Sequence, residues 1–503
     1  MTVGRFDPNS SQIARLAGRG AAVALGGQGI KFVIGFLQIA VLARLLSPAE
    51  FGLYAMVMPI VLFAGLFKDL GLSAATVQRS NLTHEETSLL FWLSVGVSAL
   101  LTVLLIAAAP AIAAFYERPA LSGVVASLAA TFLVSGLAIQ HTALLRRQMQ
   151  IARLTRVQVT AAAAGCAAAI VSAYHGAGVW ALVIAAAVCE ASTTAGVWYT
   201  AAWRPGRPRR LIGAGEMIRF GGHVTGFNLI NFIARNADDV LVGKVWGEGA
   251  LGLYAKAYQL LLAPVKQINA PVGKAMIPAL ARVRGEPERY RQFYRKGVGL
   301  VALLSVPLTV FLGIVTDPLV SLVLGPGWEG VVPIFHALLP AAVASSLNVI
   351  TGWVYLSWGH VRQQFWVGGV VALLIIATFF GSVGAGPEIM AAAYSLVVVV
   401  TRPPAIWLCF RGTPIRFRDL GSAVWRPFAA AALAGCASLL LAPAGSSPIY
   451  ALLQSAGVYA PAFALAWLIL PGGVTATRDL LESLRQLRPA APTTAGNDPQ
   501  QGR

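Results

Sequence analysis

The chain has 503 residues, 57% of them hydrophobic and only 12% charged, with a formal net charge of +18. That is about half the charge of a soluble globular domain, and a mean hydropathy of +0.70 excludes one. The basic excess does not point to nucleic acid, because no basic stretch is interleaved with stacking aromatics, whereas membrane proteins become basic through arginine-rich cytoplasmic loops.

Apolar stretches of about 20 residues, the length that crosses a hydrocarbon core, recur along the chain and predict an all-α polytopic membrane protein. Fourteen spans are expected near 20–44, 51–77, 88–115, 120–145, 155–175, 178–203, 217–243, 250–280, 297–325, 332–357, 364–384, 388–410, 422–442 and 448–471. Residues 1–19 are polar and read as a cytoplasmic N-terminus rather than a signal peptide.

Lysine distribution is the first anomaly. Six of seven lysines, Lys31, Lys68, Lys244, Lys256, Lys266 and Lys274, lie within or at the rim of apolar segments. A charge at the centre of a membrane helix costs roughly 2.5–3.5 kcal/mol on insertion scales, so it usually faces a bundle interior or a watery cavity. Span one carries Lys31 with Gln28 and Gln38, and span two is interrupted by Lys68 and Asp69. Adjacent helical residues point about 100° apart, so Lys68 and Asp69 need not pair.

Span seven places Asn228, Asn231, Arg235, Asp238 and Asp239 on one arc of about 100°. Arg235 can pair with Asp238 at i+3 or Asp239 at i+4, either as a structural pair or as a relay that binds substrate or a coupling cation. Span eight shows a second polar stripe, Lys256, Gln259, Lys266, Gln267 and Lys274. Pro264, Pro271 and Pro278 each remove a helix hydrogen bond, so kinks are expected there. Snorkelling to headgroups accounts for Lys256 and Lys274 near the span ends, but poorly for mid-span Lys266.

The intramembrane positives (Lys31, Lys68, Arg235, Lys256, Lys266, Lys274) outnumber the negatives (Asp69, Asp238, Asp239), an excess that suits a phosphate-bearing passenger. Among these, Lys31, Lys68, Arg235, Lys266, Lys256 and Lys274 are the candidate residues for binding the phosphate of such a passenger, and Asp238, Asp239 and Asp69 the candidate ion carriers.

Charge in the loops fixes an orientation. With the N-terminus inside, 27 of the 38 Lys and Arg fall in or beside inside segments, three lie near outside loops (Arg44, Arg118, Lys244), and eight lie within spans. That asymmetry follows the positive-inside rule and requires an even number of spans with both termini inside.

An internal repeat reinforces this count. Gly52-Leu53-Tyr54-Ala55 recurs as Gly252-Leu253-Tyr254-Ala255, each copy preceded by a basic residue, Arg44 or Lys244. Each joins the first and second spans of a proposed six-span half, the pattern of a parallel repeat. The expected organisation is a first lobe over 20–203, a cytoplasmic linker over 204–216, a second lobe over 217–410, two further helices over 422–471 and a cytoplasmic tail over 472–503. The tail opens with an amphipathic stretch, Val474 to Leu487, suited to a membrane surface.

No enzyme signature appears. The chain lacks a phosphate-binding G-x-x-x-x-G-K-[ST] loop, a Gly-x-Ser-x-Gly elbow and a His-Glu-x-x-His motif. Cys166, Cys189, Cys409 and Cys436 all fall in apolar segments without metal-ligand spacing, so neither metal nor cofactor is expected.

Leu46-Ser47-Pro48-Ala49-Glu50-Phe51-Gly52-Leu53-Tyr54, Asp69-Leu70-Gly71-Leu72-Ser73 with Val77-Gln78-Arg79, Leu82-Thr83 with Phe91-Trp92, Leu144 to Met149, and Asn236 to Gly243 together resemble the polysaccharide transporter branch of the MOP flippase superfamily. The resemblance runs in order over about residues 20–415. It implies a Wzx-like flippase for undecaprenyl-pyrophosphate-linked oligosaccharide units in the bacterial inner membrane, serving exopolysaccharide or lipopolysaccharide. It also implies a MATE- and MurJ-like fold of two six-helix lobes plus two C-terminal helices, with spans one, two, seven and eight around a central cavity. Membrane lipids are implied partners, and a polysaccharide polymerase and export proteins are candidates. Three alternatives stay open: a lipid II flippase, a cation-coupled multidrug antiporter of the same superfamily, and a membrane glycosyltransferase or polymerase.

Overall fold

A computed structural model describes residues 13–69, 71–79, 82–207, 214–441 and 447–474; the side chains of 13–19, 21, 75, 214–231, 233–235 and 348 lie outside that description. Within it the ordered elements are helical, as buried backbone in hydrocarbon demands. They are α1 (Ile13–Leu45), α2 (Pro48–Lys68), α3 (Leu72–Gln78), α4 (His84–Tyr116), α5 (Ala120–Arg147), α6 (Ile151–Tyr174), α7 (Trp180–Thr200), α8 (Ala214–Arg282), α9 (Pro287–Ile314), α10 (Thr316–Val323), α11 (Val331–Trp358), α12 (Val361–Ser382), α13 (Pro387–Phe410), α14 (Phe417–Leu441) and α15 (Pro448–Ile469). Twelve helices among the described residues are long and apolar enough to cross a membrane; α8 is not among them, and its two arms occupy the places of the expected spans seven and eight, so fourteen is met only approximately.

Helix starts follow local chemistry. Ser47 accepts from the Glu50 N–H while the Glu50 carboxylate accepts from Ser47, and Thr83 and Glu86 repeat that capping box before α4. Both boxes satisfy donors that the first helical turn leaves free.

Three boundaries differ from the sequence expectation. Spans seven and eight form one helical path bent at Gly247, whose φ of 79° and ψ of −175° suit a residue without Cβ. Pro264, Pro271 and Pro278 leave the path helical, so the break lies at the glycine rather than at the prolines. Packing from neighbouring helices makes prolines tolerable in such spans. Span two ends at Lys68, after which Asp69 accepts hydrogen bonds from the Ser73 N–H and hydroxyl (3.0 and 2.8 Å) and caps α3. Span nine divides at Val315 into α9 and α10. The amphipathic stretch beyond Val474 lies outside the described residues.

Helices α1–α7 and, separately, the arms of α8 with α9–α13 are termed the two lobes, while α14 packs on α9 and α15 on α14 and α10. The strongest junction between lobes is α2 against α8. Its closest approach uses the repeated glycines reciprocally. A methyl on Gly52 would overlap the Glu248 carbonyl oxygen, and one on Gly252 would overlap the Pro48 carbonyl oxygen. Each glycine therefore meets the residue four positions before its counterpart. Bare glycine faces let membrane helices approach in this way. Around the crossing, Met56, Val57, Leu251 and Tyr254 are fully buried in the largest apolar cluster.

Candidate functional site

Charges inside an apolar bundle are informative through their partners, and these partners sort the predicted residues. A cavity of about 490 Å³ lies where α1, α2, α6, α7 and both arms of α8 converge. Lys31, Gln38, Asp239, Lys256 and Gln259 bring polar groups to its wall, and Cys166 and Cys189 bring thiols.

Lys31 on α1 donates to the Gln158 side-chain oxygen of α6 at 3.1 Å. Lys256 on α8 is only 7% exposed. Its ammonium donates to the Gln259 amide oxygen at 3.0 Å and stands 3.9 Å from the centre of the Phe51 ring. The snorkelling reading of Lys256 therefore fails, since the side chain turns into the protein. Both lysines have neutral partners among the described residues. A buried ammonium held by amides and a ring keeps unsatisfied capacity for an anion.

Adjacent aspartates divide their tasks because consecutive helical side chains diverge. Asp239 lines the cavity, while Asp238 is buried and accepts from the Tyr254 hydroxyl at 3.1 Å. The Arg235 side chain, their expected partner, lies outside the described residues.

The other expected residues stand elsewhere. Lys68 donates to the Ser135 hydroxyl at 2.9 Å with its ammonium 5.7 Å from the Phe132 ring, inside the α2–α5 packing of the first lobe. Asp69 is the α3 cap. Lys266 is exposed and does not line this volume, although its neighbour Gln267 accepts from Gln28 of α1 at 3.4 Å. Lys274 shares the helical angle of Lys256 but lies about 27 Å further along the axis, and it is exposed. Among the described residues no group of three or more His, Cys, Asp and Glu comes together as a metal site.

Sequence reasoning missed Gln158, Phe51 and Tyr254. Phe51 carried a signal, being an aromatic one turn inside a capped helix and directly before the repeated glycine.

At the end of the bundle that carries Ser47 and Gly247, polar contacts join the two lobes. Here Lys244 pairs with Glu117 at 2.7 Å and Arg118 with Glu248 at 2.6 Å, linking the α4–α5 loop to the α8 bend. Arg44 donates to the Leu322 carbonyl oxygen at 2.7 Å, and the Trp328 indole donates to the Ala43 carbonyl oxygen at 2.8 Å. Arg44 and Lys244, equivalent in the repeat, thus each reach into the opposite lobe.

The hydrogen bond from Lys244 and its charge hold the Glu117 carboxyl below its ordinary value. Partial burial pushes Glu248 up, but the Arg118 hydrogen bond, a backbone hydrogen bond and the Arg118 charge together outweigh it and the net shift is downward. Carboxyls with lowered values stabilise closure above their unfolded pKa and lose that contribution as pH falls through the folded value. Closure at this end is therefore expected to weaken below the ordinary carboxylate range, near pH 4. Cross-linking yield between Glu117→Cys and Lys244→Cys cannot report this, since both partners are changed. The distance between spin labels at the neighbouring exposed positions Ala120 and Val245 should lengthen on acidification, and an unchanged distance would remove the ion pairs from the seal.

Comparison with known proteins agrees with this geometry. The family described as polysaccharide biosynthesis protein matches residues 41–333. The teichuronic acid biosynthesis protein TuaB of Bacillus subtilis (strain 168) is 28% identical over 406 residues, covering 80% of this chain and 84% of that protein. The lipopolysaccharide biosynthesis protein WzxC of Escherichia coli (strain K12) is 24% identical over 405 residues, covering 78% and 81%. The succinoglycan biosynthesis transport protein ExoT of Rhizobium meliloti (strain 1021) is 23% identical over 331 residues, covering 66% of each. In fold, the chain is similar to lipid II flippase MurJ in its inward closed conformation, with a TM-score of 0.73 at 11% identity, covering 90% of this chain and 98% of that one.

Proposed function

The chain belongs to the polysaccharide biosynthesis protein family, and from that premise we propose that it is a flippase for lipid-linked oligosaccharides rather than an enzyme. The observation that carries this reading is the pair Lys31 and Lys256, two ammonium groups with neutral partners on one inter-lobe cavity. Such a pair suits a pyrophosphate, with lysine acting as a point charge toward the phosphate oxygens. The sugars would occupy the polar lumen beside Gln38 and Gln259, while an undecaprenyl tail would stay in the bilayer between the lobes.

The charge asymmetry supports placing the Arg147 end in the cytoplasm of a bacterial cell with both termini inside. The Ser47 end is then outward, and the cavity loads from the cytoplasmic side before the lobes rock to expose it outside. If a cation gradient drives the cycle, Asp238 and Asp239 are the carriers this geometry favours, because Asp69 is engaged in capping α3. Lys266 and Lys274 are proposed to guide the headgroup along α8 toward Lys256. The Lys256–Lys31 pair weighs against a cation-coupled drug carrier, and the names of TuaB, WzxC and ExoT, which cite teichuronic acid, lipopolysaccharide and succinoglycan, favour exopolysaccharide or lipopolysaccharide units over lipid II. A polymerase acting on the delivered units is the expected downstream partner.

Deletion followed by lipid analysis tests the reading. Loss of surface polymer with lipid-linked repeat units retained on the cytoplasmic leaflet is expected. Unaltered polymer in the deletion strain would overturn it, whereas loss of peptidoglycan precursor transport would transfer the assignment to lipid II.

A further inference from the structure

Lys256 and the seal at the Ser47 end share one side chain. The Phe51 ring carries the Lys256 ammonium 3.9 Å from its centre and meets the Trp328 ring edge-on, at 5.5 Å between centroids and 69° between planes. Trp328 is 1% exposed and its indole donates to the Ala43 carbonyl oxygen, next to Arg44, which donates to Leu322. An unbroken path of contacts therefore runs from the cavity cation to the junction between the lobes.

The backbone beneath Phe51 has little freedom. The Ser47–Glu50 capping box fixes the first turn of α2, and Gly52 abuts the Glu248 carbonyl. Change at Phe51 must consequently appear as ring rotation, which Trp328 would feel directly. An anion entering the cavity competes with the ring for the ammonium, and a charge-assisted bond to phosphate is stronger than attraction to an aromatic face.

We propose that Phe51 is the residue that couples anion binding in the cavity to opening of the seal, by giving up Lys256 and loosening its edge contact with Trp328. Phe51 acts through its two neighbours and touches no reacting group, so it is a positioning residue. The inference rests on the anion-carrying reading given above and adds a mechanism to it.

The native thiols provide the readout. Cys166 and Cys189 line the cavity, so a membrane-impermeant maleimide applied outside right-side-out vesicles reaches them only when the Ser47 end opens. Labelling is read by peptide mass spectrometry, with vesicles loaded with inorganic pyrophosphate or with buffer. Binding of pyrophosphate to the purified full chain in nanodiscs is measured separately by calorimetry. In the wild type, pyrophosphate is expected to raise labelling about tenfold, within the usual range of coupling between sites. Phe51→Tyr keeps the ring face and should respond likewise. Phe51→Leu keeps apolar bulk but loses the face and edge, and should bind pyrophosphate yet label at a raised level that no longer responds. Binding together with a wild-type response in Phe51→Leu would overturn the coupling role and leave the carrier reading intact. Absence of pyrophosphate binding to the wild type would overturn the anion-carrying reading, and the coupling role with it.

Discussion

Replacing Lys31 and Lys256 together by glutamine is expected to lower export of lipid-linked saccharide by about a hundredfold or more while the protein remains folded. A hydrogen bond to a charged group contributes about 1.5–3 kcal/mol, and two such contacts span roughly two to four decades in affinity. The folded state should tolerate the change. Lys256 is buried among an amide and an aromatic ring with no ion pair among the described residues, and removing such a buried charge relieves desolvation rather than adding to it. Thermal unfolding in detergent should therefore stay at or above the wild-type midpoint while export collapses. Each single variant should lose a smaller factor, and Lys31→Gln should leave Gln158 with a new amide partner. Lys68→Gln supplies the contrast, because that ammonium is bound to Ser135 inside the first lobe and outside the cavity wall. Near-normal export by a well-expressed double variant would remove the two lysines from the passenger's path.

Much of this site was legible in the chain, and the limit of legibility has a physical form. Lysines in apolar segments announced a polar interior, since lipid-facing positions rarely carry them. Periodicity could not separate Lys256 from Lys274, which share one helical angle. Their difference lies in depth along the axis and in Phe51, contributed by another helix of the opposite lobe. Lys266 looked the strongest of the three because it is central in its own span, but the enclosed volume ends along α8 at Gln259, about 10 Å short of it on nearly the same face. Asp69 illustrates a related limit: its charge was visible, whereas its capping of α3 depends on α2 stopping at Lys68. The fold was more legible. Twelve of the expected spans and a repeat at an offset of 200 residues, whose two glycines meet across the α2–α8 crossing, were visible in local composition, and composition is what the bilayer selects.

The repeat yields the second large expectation, that Gly52→Ala and Gly252→Ala each prevent the lobes from closing at the Ser47 end. Either methyl would overlap a backbone carbonyl of the opposing helix, which no side-chain rotation can relieve. The helices must separate, and overpacking of this kind typically costs about 1–3 kcal/mol. In a bilayer that strain need not unfold either lobe, because each retains its own helix packing. It should appear at the inter-lobe junction, where Glu248 and Arg118, Arg44 and Leu322, and Phe51 and Trp328 all meet within a few turns of the crossing. Outside labelling of Cys166 and Cys189 should rise in both variants, with export reduced more than about tenfold, the equivalent of 1.4 kcal/mol in the closing equilibrium. The reciprocal contact further requires the two variants to behave alike, and their double variant to fall short of additivity, since one separation relieves both overlaps. Gly65→Ala on the same α2 is the control: nothing lies within 4 Å of the added methyl, so it should be neutral or stabilising by up to about 1 kcal/mol. Normal closure in Gly52→Ala would mean that the crossing adjusts freely and that the seal is held by its ion pairs and aromatic contacts instead.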